Sequence, residues 1–559
     1  MKTKRIVALA ATLLVGATSV SAFSGCGGTK VQDNGYDATK ANLSVATFDG
    51  GVGRAWLDEA AARFEEKYKD ATHFQEGRVG VKINVDGDKD KYGGKTLAEK
   101  ALNKDVYFTE GVEYYTYVNA DKVADITDVI QSKADESESK TIEEKIDSSF
   151  TSFMTAGTGG KYYMVPFYDG FYGFIYDVDL FETSGFYFDL DGDFIGLPKG
   201  KDATAEDRAE FEAAKSNGPD GIKDTYDDGL PATYEQMIEL ADQILAKECI
   251  PFCYSGMYND YVSKACRAFI ADYEGYEGFK LNYTFDGTAN LVTKINKGDV
   301  IDTVETEAVT ITEENAYELQ KQAGKFYALQ MQEKLFGSVK YVGGTWNGFD
   351  YTVAQGEFIK SKYTKPYAML LEGVWWENEA SSTFEELETI RGDKKADRRF
   401  GFLPMPKAPG QEPSAQTMFS SNSSFGFINK NCSNMELAKE FMRFLHTDAE
   451  MSKFSAKTSI SRSLNYEVSE ADKLTATHFG KSLIEMRSMS KVVYPYSSLP
   501  LVINNASAFT EGAWYLTSSV GGKSFNNPFN AFKDGDATAA QYFNGLYTYQ
   551  QSMWSSLQR

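Results

Sequence analysis

Apolar positions along the chain recur first with a period of two, then with a period near 3.6. Leu43 to Phe48 reads as a buried strand, and Asp49-Gly50-Gly51-Val52-Gly53 after it as a tight loop. Across 54–68, residues Trp56, Leu57, Ala60, Ala61, Phe64 and Tyr68 fall on one side of a helix. Val79, Val81, Ile83 and Val85 alternate as a second strand; a short helix over 97–102 and a third strand over 105–108 follow. This run predicts the opening of a parallel α/β sheet, whose ligands sit in the loops at the strand C-termini. The Gly50–Gly53 loop lacks the spacing of a dinucleotide fingerprint and is read as a turn. Helices are predicted over 232–247 and 312–334, and from a capping box at Ser433–Glu436 to His446. Strands are predicted over 367–371, 400–404 and 424–428.

At 559 residues the chain is too long for one core, which predicts two large lobes. Eighty acidic side chains against 58 basic ones, a formal charge of −22, argue against nucleic acid or an anionic lipid surface as partner. Three histidines argue against a His-rich metal or catalytic centre. Lys2, Lys4 and Arg5 precede an apolar stretch, Ile6 to Ala22, which ends in small residues before Cys26. This resembles the bacterial lipoprotein signal: residues 1–25 would be removed, and Cys26 lipidated on the extracellular face of the cell membrane. Residues 26–40 would then form a flexible tether. No later segment is long and apolar enough to span a bilayer. Of the other cysteines, Cys249 and Cys253 are close enough to pair, with Pro251 between them leaving the geometry open; no CxxC appears.

Residues 189–229 carry twelve acids and five bases. Asp189, Asp191 and Asp193, then Asp220, Asp224, Asp227 and Asp228, offer hard oxygen ligands at short spacing, and two readings stand: a solvated acidic insertion, or structural calcium. Neither stretch is an EF-hand; in the first, Phe194 and Gly200 occupy the required glycine and glutamate positions. No other cofactor is required.

An ordered set of segments resembles the extracellular solute-binding lipoproteins of carbohydrate ABC importers, the group that includes maltose-binding protein. After the lipoprotein signal come LSVATFDGGVGRAWLDEAAARFEEKY, DVYFTEG, GKYYMVPFYDGFYGFIYDVDLF and YAMLLEGVWWENEA. RRFGFLPMPKAP, SSFGFINKNCSNMELAKEFMRFLHTD and NNASAFTEGAWYL complete the set. Together they cover most of residues 41–520, and the chain departs by its length and its acidic insertion. The resemblance implies a two-lobed Venus-flytrap fold with a multi-segment hinge that closes on ligand. By analogy the crossovers lie near 167–174, 406–421 and 463–467. One lobe would comprise 41–168 and 416–467, the other 169–415 and 468–559. It further implies a monomeric, non-catalytic receptor that hands an oligosaccharide to the importer's membrane subunits.

Sugar binding needs aromatic faces against C–H surfaces and planar carboxylates or amides on neighbouring hydroxyls. Tyr168 and Asp169, at the first crossover, supply one such wall. Trp375 and Trp376 are adjacent, between Glu372 and Glu377, so one is expected to stack on a sugar while the other packs. Trp375 is preferred by its match to the family's EGxW pattern. Trp514 matches a family stacking position, and Trp346 is a further candidate. Asp49 and Glu110 follow the first and third strands, where polar ligand groups are gripped. Two other classes remain open. A lipid-anchored glycoside hydrolase would use two of these carboxylates across a sugar bond, and a surface adhesin would use calcium to stiffen the acidic segment.

Overall fold

The computed structural model of the chain describes residues 35–557 apart from 259, 343–347, 422 and 511–512. The signal segment, Cys26 and Trp346 lie outside the described residues. A first sheet orders its strands Val81–Gly87, Ala41–Thr47, Val106–Thr109, Phe425–Ile428 and Met164–Pro166. The first three are parallel, with Val45 beside both Val85 and Val106, and Phe425–Ile428 runs antiparallel to its two neighbours. Helix Ala55–Lys67 buries Trp56, Leu57, Ala60, Ala61 and Phe64, the stripe its periodicity predicts. A second sheet runs Phe400–Leu403, Tyr172–Asp177, Tyr367–Gly373, Ile250–Cys253. All seven residues of Tyr367–Gly373 are buried, so this central strand shows a continuous apolar run rather than alternation.

The chain passes between the sheets at 167–171 and again at 404–424, and a short parallel pair, Thr417–Phe419 with Lys491–Val493, lies in this crossing region. One core surrounds the first sheet and continues through Phe167 and Phe171 to Trp375, Trp376 and Phe400. A second fills the rest of the molecule around Phe174, Leu240, Phe326 and Tyr542. The lobes are closed on one another. The Asn378 side-chain amide donates to the Thr458 carbonyl at 2.9 Å, and the Ser459 hydroxyl donates to Glu377 at 3.1 Å.

Several expectations are corrected. Residues 312–334 are not one helix: a 3-10 turn, Ala316–Lys321, is followed by helix Ala323–Phe336. Gln322 between them is extended, its amide donating to the Gly278 carbonyl at 2.9 Å. Helix Met435–Leu445 is capped by Asn434 rather than Ser433, whose hydroxyl and N–H both donate to Asp105. All four described cysteines are free thiols, and the Cys253 thiol donates to the Ala354 carbonyl at 3.3 Å. The antiparallel ribbon Gly287–Asn296 with Thr303–Ile311 has no counterpart in the sequence reading. Among the described residues no helix is long and apolar enough to cross a membrane.

Candidate functional site

The first lobe contributes loops at the C-terminal ends of its strands. Asp49 to Gly53 follow Ala41–Thr47, and Glu110 follows Val106–Thr109. Tyr168 lies just beyond Met164–Pro166, and its hydroxyl donates to Glu110 Oε1. The second lobe contributes Glu372 from the end of Tyr367–Gly373 and Trp375 just after it. Glu379 ends helix Trp376–Glu379, and Gln355 lies on helix Tyr351–Lys360.

These groups meet at Gly51. A β-carbon there would stand 2.8 Å from Glu110 Oε1, 3.3 Å from the Tyr168 hydroxyl and 3.8 Å from Trp375 Cβ. The Gly51 N–H itself donates to Glu379 Oε1 at 3.3 Å, across the lobes. With φ at +37°, the residue suits a glycine on conformational grounds as well as on space. The Gln355 amide joins the two other carboxylates, donating to Glu379 at 2.9 Å and to Glu372 at 3.4 Å. Trp375 meets the ring of Tyr172 edge-on at 5.1 Å, and Tyr172 meets Tyr261 at 5.7 Å. The Lys264 ammonium lies 5.0 Å above the Tyr172 ring and donates to its hydroxyl at 3.3 Å. Beside this cluster a cleft of about 450 Å³ opens, lined by Asp49–Ala55, Lys89, Tyr351, Thr352, Asn378, Glu379, Ser381 and Lys395.

Three acids and few cations share this space. Burial pushes Glu110 up to about 7, against the Tyr168 hydrogen bond that pulls it down. Burial, then the neighbouring Glu379 charge, raises Glu372 far above the ordinary range, and burial also raises Glu379. A carboxyl held near neutrality donates or accepts, which suits hydroxyl ligands of either polarity. A larger open groove of about 700 Å³ lies beside Val81–Gly87. Its charges already pair, Arg54 with Asp58 at 2.8 Å, Lys82 with Glu65 at 3.1 Å and Lys104 with Asp86 at 3.0 Å, so it has little left to offer a ligand.

The structure brings Asp49, Glu110, Tyr168, Glu372 and Trp375 to the interlobe surface. Three other expectations are corrected. Trp376 is fully buried among Phe358, Phe384, Phe400 and Phe479. Trp514 is a core residue of the second lobe, donating to Asn282 at 3.0 Å and packed on Phe509 and Trp554. Asp169 is a hinge residue: Arg487 Nε donates to it at 3.0 Å and the Tyr494 hydroxyl at 2.9 Å. In the acidic segment, Asp189 Oδ1 accepts from the N–H groups of Asp191 and Asp193, both at 2.9 Å, closing a turn. Glu379, Gln355, Tyr261 and Lys264 are the residues that sequence reading missed, while Tyr172 belongs to the aromatic run of 162–176 at the first crossover but was not singled out there. They come from separate elements, and beside Tyr172 only Glu379, inside the Trp-Glu-Asn-Glu stretch, carried any local signal.

No protein-family model matches the sequence, and no curated relative does. Solved structures match the fold. The apo form of RafE from Streptococcus pneumoniae is 13% identical, aligning over 93% of this chain and 99% of that one with a TM-score of 0.50. A protein of xylan utilization from the thermophilic bacterium Caldanaerobius polysaccharolyticus is 11% identical over 91% and 99%, at 0.51. The GacH receptor of Streptomyces glaucescens, known unliganded and with acarbose, is 10% identical over 93% and 100%, at 0.50. The chain therefore has the two-lobed α/β fold of the solute-binding proteins.

Proposed function

We propose that this protein is a receptor that captures an oligosaccharide between its lobes and presents it to an ABC importer without chemical change. The observation that carries the reading is the convergence at Gly51 of an aromatic wall, Trp375 and Tyr172, with the carboxylates Glu110, Glu372 and Glu379. Rings against C–H faces and paired planar acceptors on adjacent hydroxyls are what a sugar requires. The fold supports it, shared as it is with a receptor solved with acarbose and a protein of xylan utilization. Residues 41–168 with 416–467 form one moving lobe in this reading, and 169–415 with 468–559 the other. Opening about the crossovers uncovers Trp375, which is 7% exposed in the closed form. The chain is monomeric and is held outside the cell membrane through a lipid on Cys26.

The test is a thermal-shift and tryptophan-fluorescence screen against malto-, xylo-, manno- and fructo-oligosaccharides. At ~100 times the dissociation constant, a ligand should stabilise the fold by about 2.7 kcal/mol. The sugar should be recovered uncut. Silence across all four series sinks the carbohydrate reading, and cleaved sugar would make the protein a hydrolase.

A further inference from the structure

Two carboxylate oxygens in one loop are buried without an ordinary hydrogen bond. Asp220 is 5% exposed; its Oδ1 accepts from the Ile222 N–H at 2.6 Å, while its Oδ2 has no hydrogen-bond partner. Eight residues on, the half-buried Asp228 accepts from the Asp224 N–H at 2.8 Å through Oδ2 and is also stabilised by the Thr225 backbone N–H, while its Oδ1 atom is buried without a hydrogen bond of ordinary geometry. Among the described residues one other carboxylate oxygen is in this state, Asp393 Oδ2, and it has the Lys362 ammonium at 3.0 Å. Neither loop oxygen has such a cation. A desolvated carboxylate oxygen with nothing to accept from is unfavourable enough that native structures complete it with water or an ion.

The surroundings are negative. Asp227, fully buried between the two, is engaged by the Asp220 N–H at 3.0 Å and the Thr225 hydroxyl at 2.7 Å. Glu485, on helix His478–Met489, lies in the field of Asp220 and Asp228. Lys215 acts on Asp228 from a distance, but its ammonium pairs with Glu212 at 2.7 Å and lies over the rings of Tyr187 and Phe211.

We propose that the 217–229 loop is a Ca²⁺ site in which Asp220 Oδ2 and Asp228 Oδ1 supply two ligands, and backbone carbonyls and water the rest. Among the described residues no three His, Cys, Asp or Glu side chains gather in metal-ligating geometry. The shell is therefore mixed, of a kind that Ca²⁺, with its ~6–8 oxygen ligands in flexible geometry, accepts more readily than Mg²⁺. The other acids of the segment have different work. Asp189 closes its own turn, and Asp227 holds the loop's backbone.

The ion's position gives it a purpose. The Ser414 N–H donates to the Pro219 carbonyl at 3.1 Å, and a β-carbon on Gly221 would lie 2.7 Å from Pro413 Cβ. The loop is thus pressed on the connection that enters the hinge strand Thr417–Phe419, and a bound cation braces that entry.

The experiment titrates CaCl₂ into the chelator-stripped full chain, following heat and melting temperature. One ion per chain is expected, with a dissociation constant of about 1 mM or tighter, as in extracellular calcium modules. Asp220→Asn with Asp228→Asn should weaken binding at least about tenfold, while Asp189→Asn with Asp191→Asn leaves it unchanged. Should the first double variant fail to fold, Tb³⁺ luminescence of the wild type, sensitised by Tyr226, reports the same site. No heat and no melting shift up to about 5 mM Ca²⁺ overturns the proposal, as do unchanged affinity in the Asp220/Asp228 variant and equal binding of Mg²⁺. None of these readouts depends on the sugar reading.

Discussion

The hinge and the cleft both bury carboxylates between the lobes, and they treat them in opposite ways. At the hinge, Asp169 is fully enclosed, and its charge is cancelled in place by Arg487, with the Tyr494 hydroxyl on its second oxygen. The same contact lifts Arg487 above its ordinary range, because Asp169 outweighs what burial alone would do. Burial also leaves Asp169 above its own range, as it does the cleft acids, so the two regions differ in the partner supplied and not in the direction of the shift. In the cleft, the donors to Glu110, Glu372 and Glu379 are neutral: a tyrosine hydroxyl, a glutamine amide and the N–H groups of Gly51 and Gly373. The cations act only from a distance, Lys264 on Glu110 and Glu372, and Lys89 on Glu379. A carboxylate that holds a fold together is neutralised by the fold. The cleft carboxylates, met by neutral donors only, keep hydrogen-bonding capacity that the fold does not use up.

The sharpest way to break this contrast is at the hinge. Arg487→Ala leaves Asp169 buried and uncompensated and should cost about 3–5 kcal/mol in urea unfolding. A loss below about 1 kcal/mol would mean that the pair is dispensable. The adjacent tryptophans separate packing from binding. Trp376→Ala should destabilise the fold by about 3–5 kcal/mol. Trp375→Ala should leave most of that stability intact and instead weaken sugar binding by about 1–2 kcal/mol, measured by titration calorimetry. Equal stability losses from both would place Trp375 in the core and out of the site.

The cleft acids predict a pH dependence of definite sign. Their folded values lie above the unfolded ones, so the folded state binds more protons, and stability falls as pH rises from about 4.5 towards 7. Glu110 alone should contribute about 1–3 kcal/mol over that window, and Glu110→Gln should flatten the profile of melting temperature against pH by that part. An unchanged profile would show that Glu110 is solvated and open. The smallest change is Gly51→Ala, whose methyl group meets Glu110 Oε1 at 2.8 Å and whose φ disfavours alanine. It should weaken closure on ligand by about 1 kcal/mol, read as a few-fold lower affinity.

Much of the architecture was legible in the residues. The strand–helix alternation of 41–109 and the strand that precedes Trp375 follow local periodicity and turn chemistry, whereas the crossings near 167–174 and 406–421 were implied only by the family resemblance. The packing of one member of the Trp375–Trp376 pair was also expected, and Trp376 is the one that is fully buried. The identity of the site followed less well. Asp169, Trp376 and Trp514 have the residue types that bind sugars, and each was claimed instead by a partner remote in sequence: Arg487, Phe479 and Asn282.

What the sequence determined by itself, then, were the elements and the supply of aromatic and acidic groups, because helical and strand periods, caps and turns act over a few residues. Tertiary structure alone decided which of those groups face the cleft. Glu379, Gln355, Tyr172 and Lys264 reach it from four separate elements, and only the docking of one lobe on the other brings Gly51 to Glu379 across 328 residues of chain. Burial and charge compensation are properties of that docking, and no local pattern encodes them.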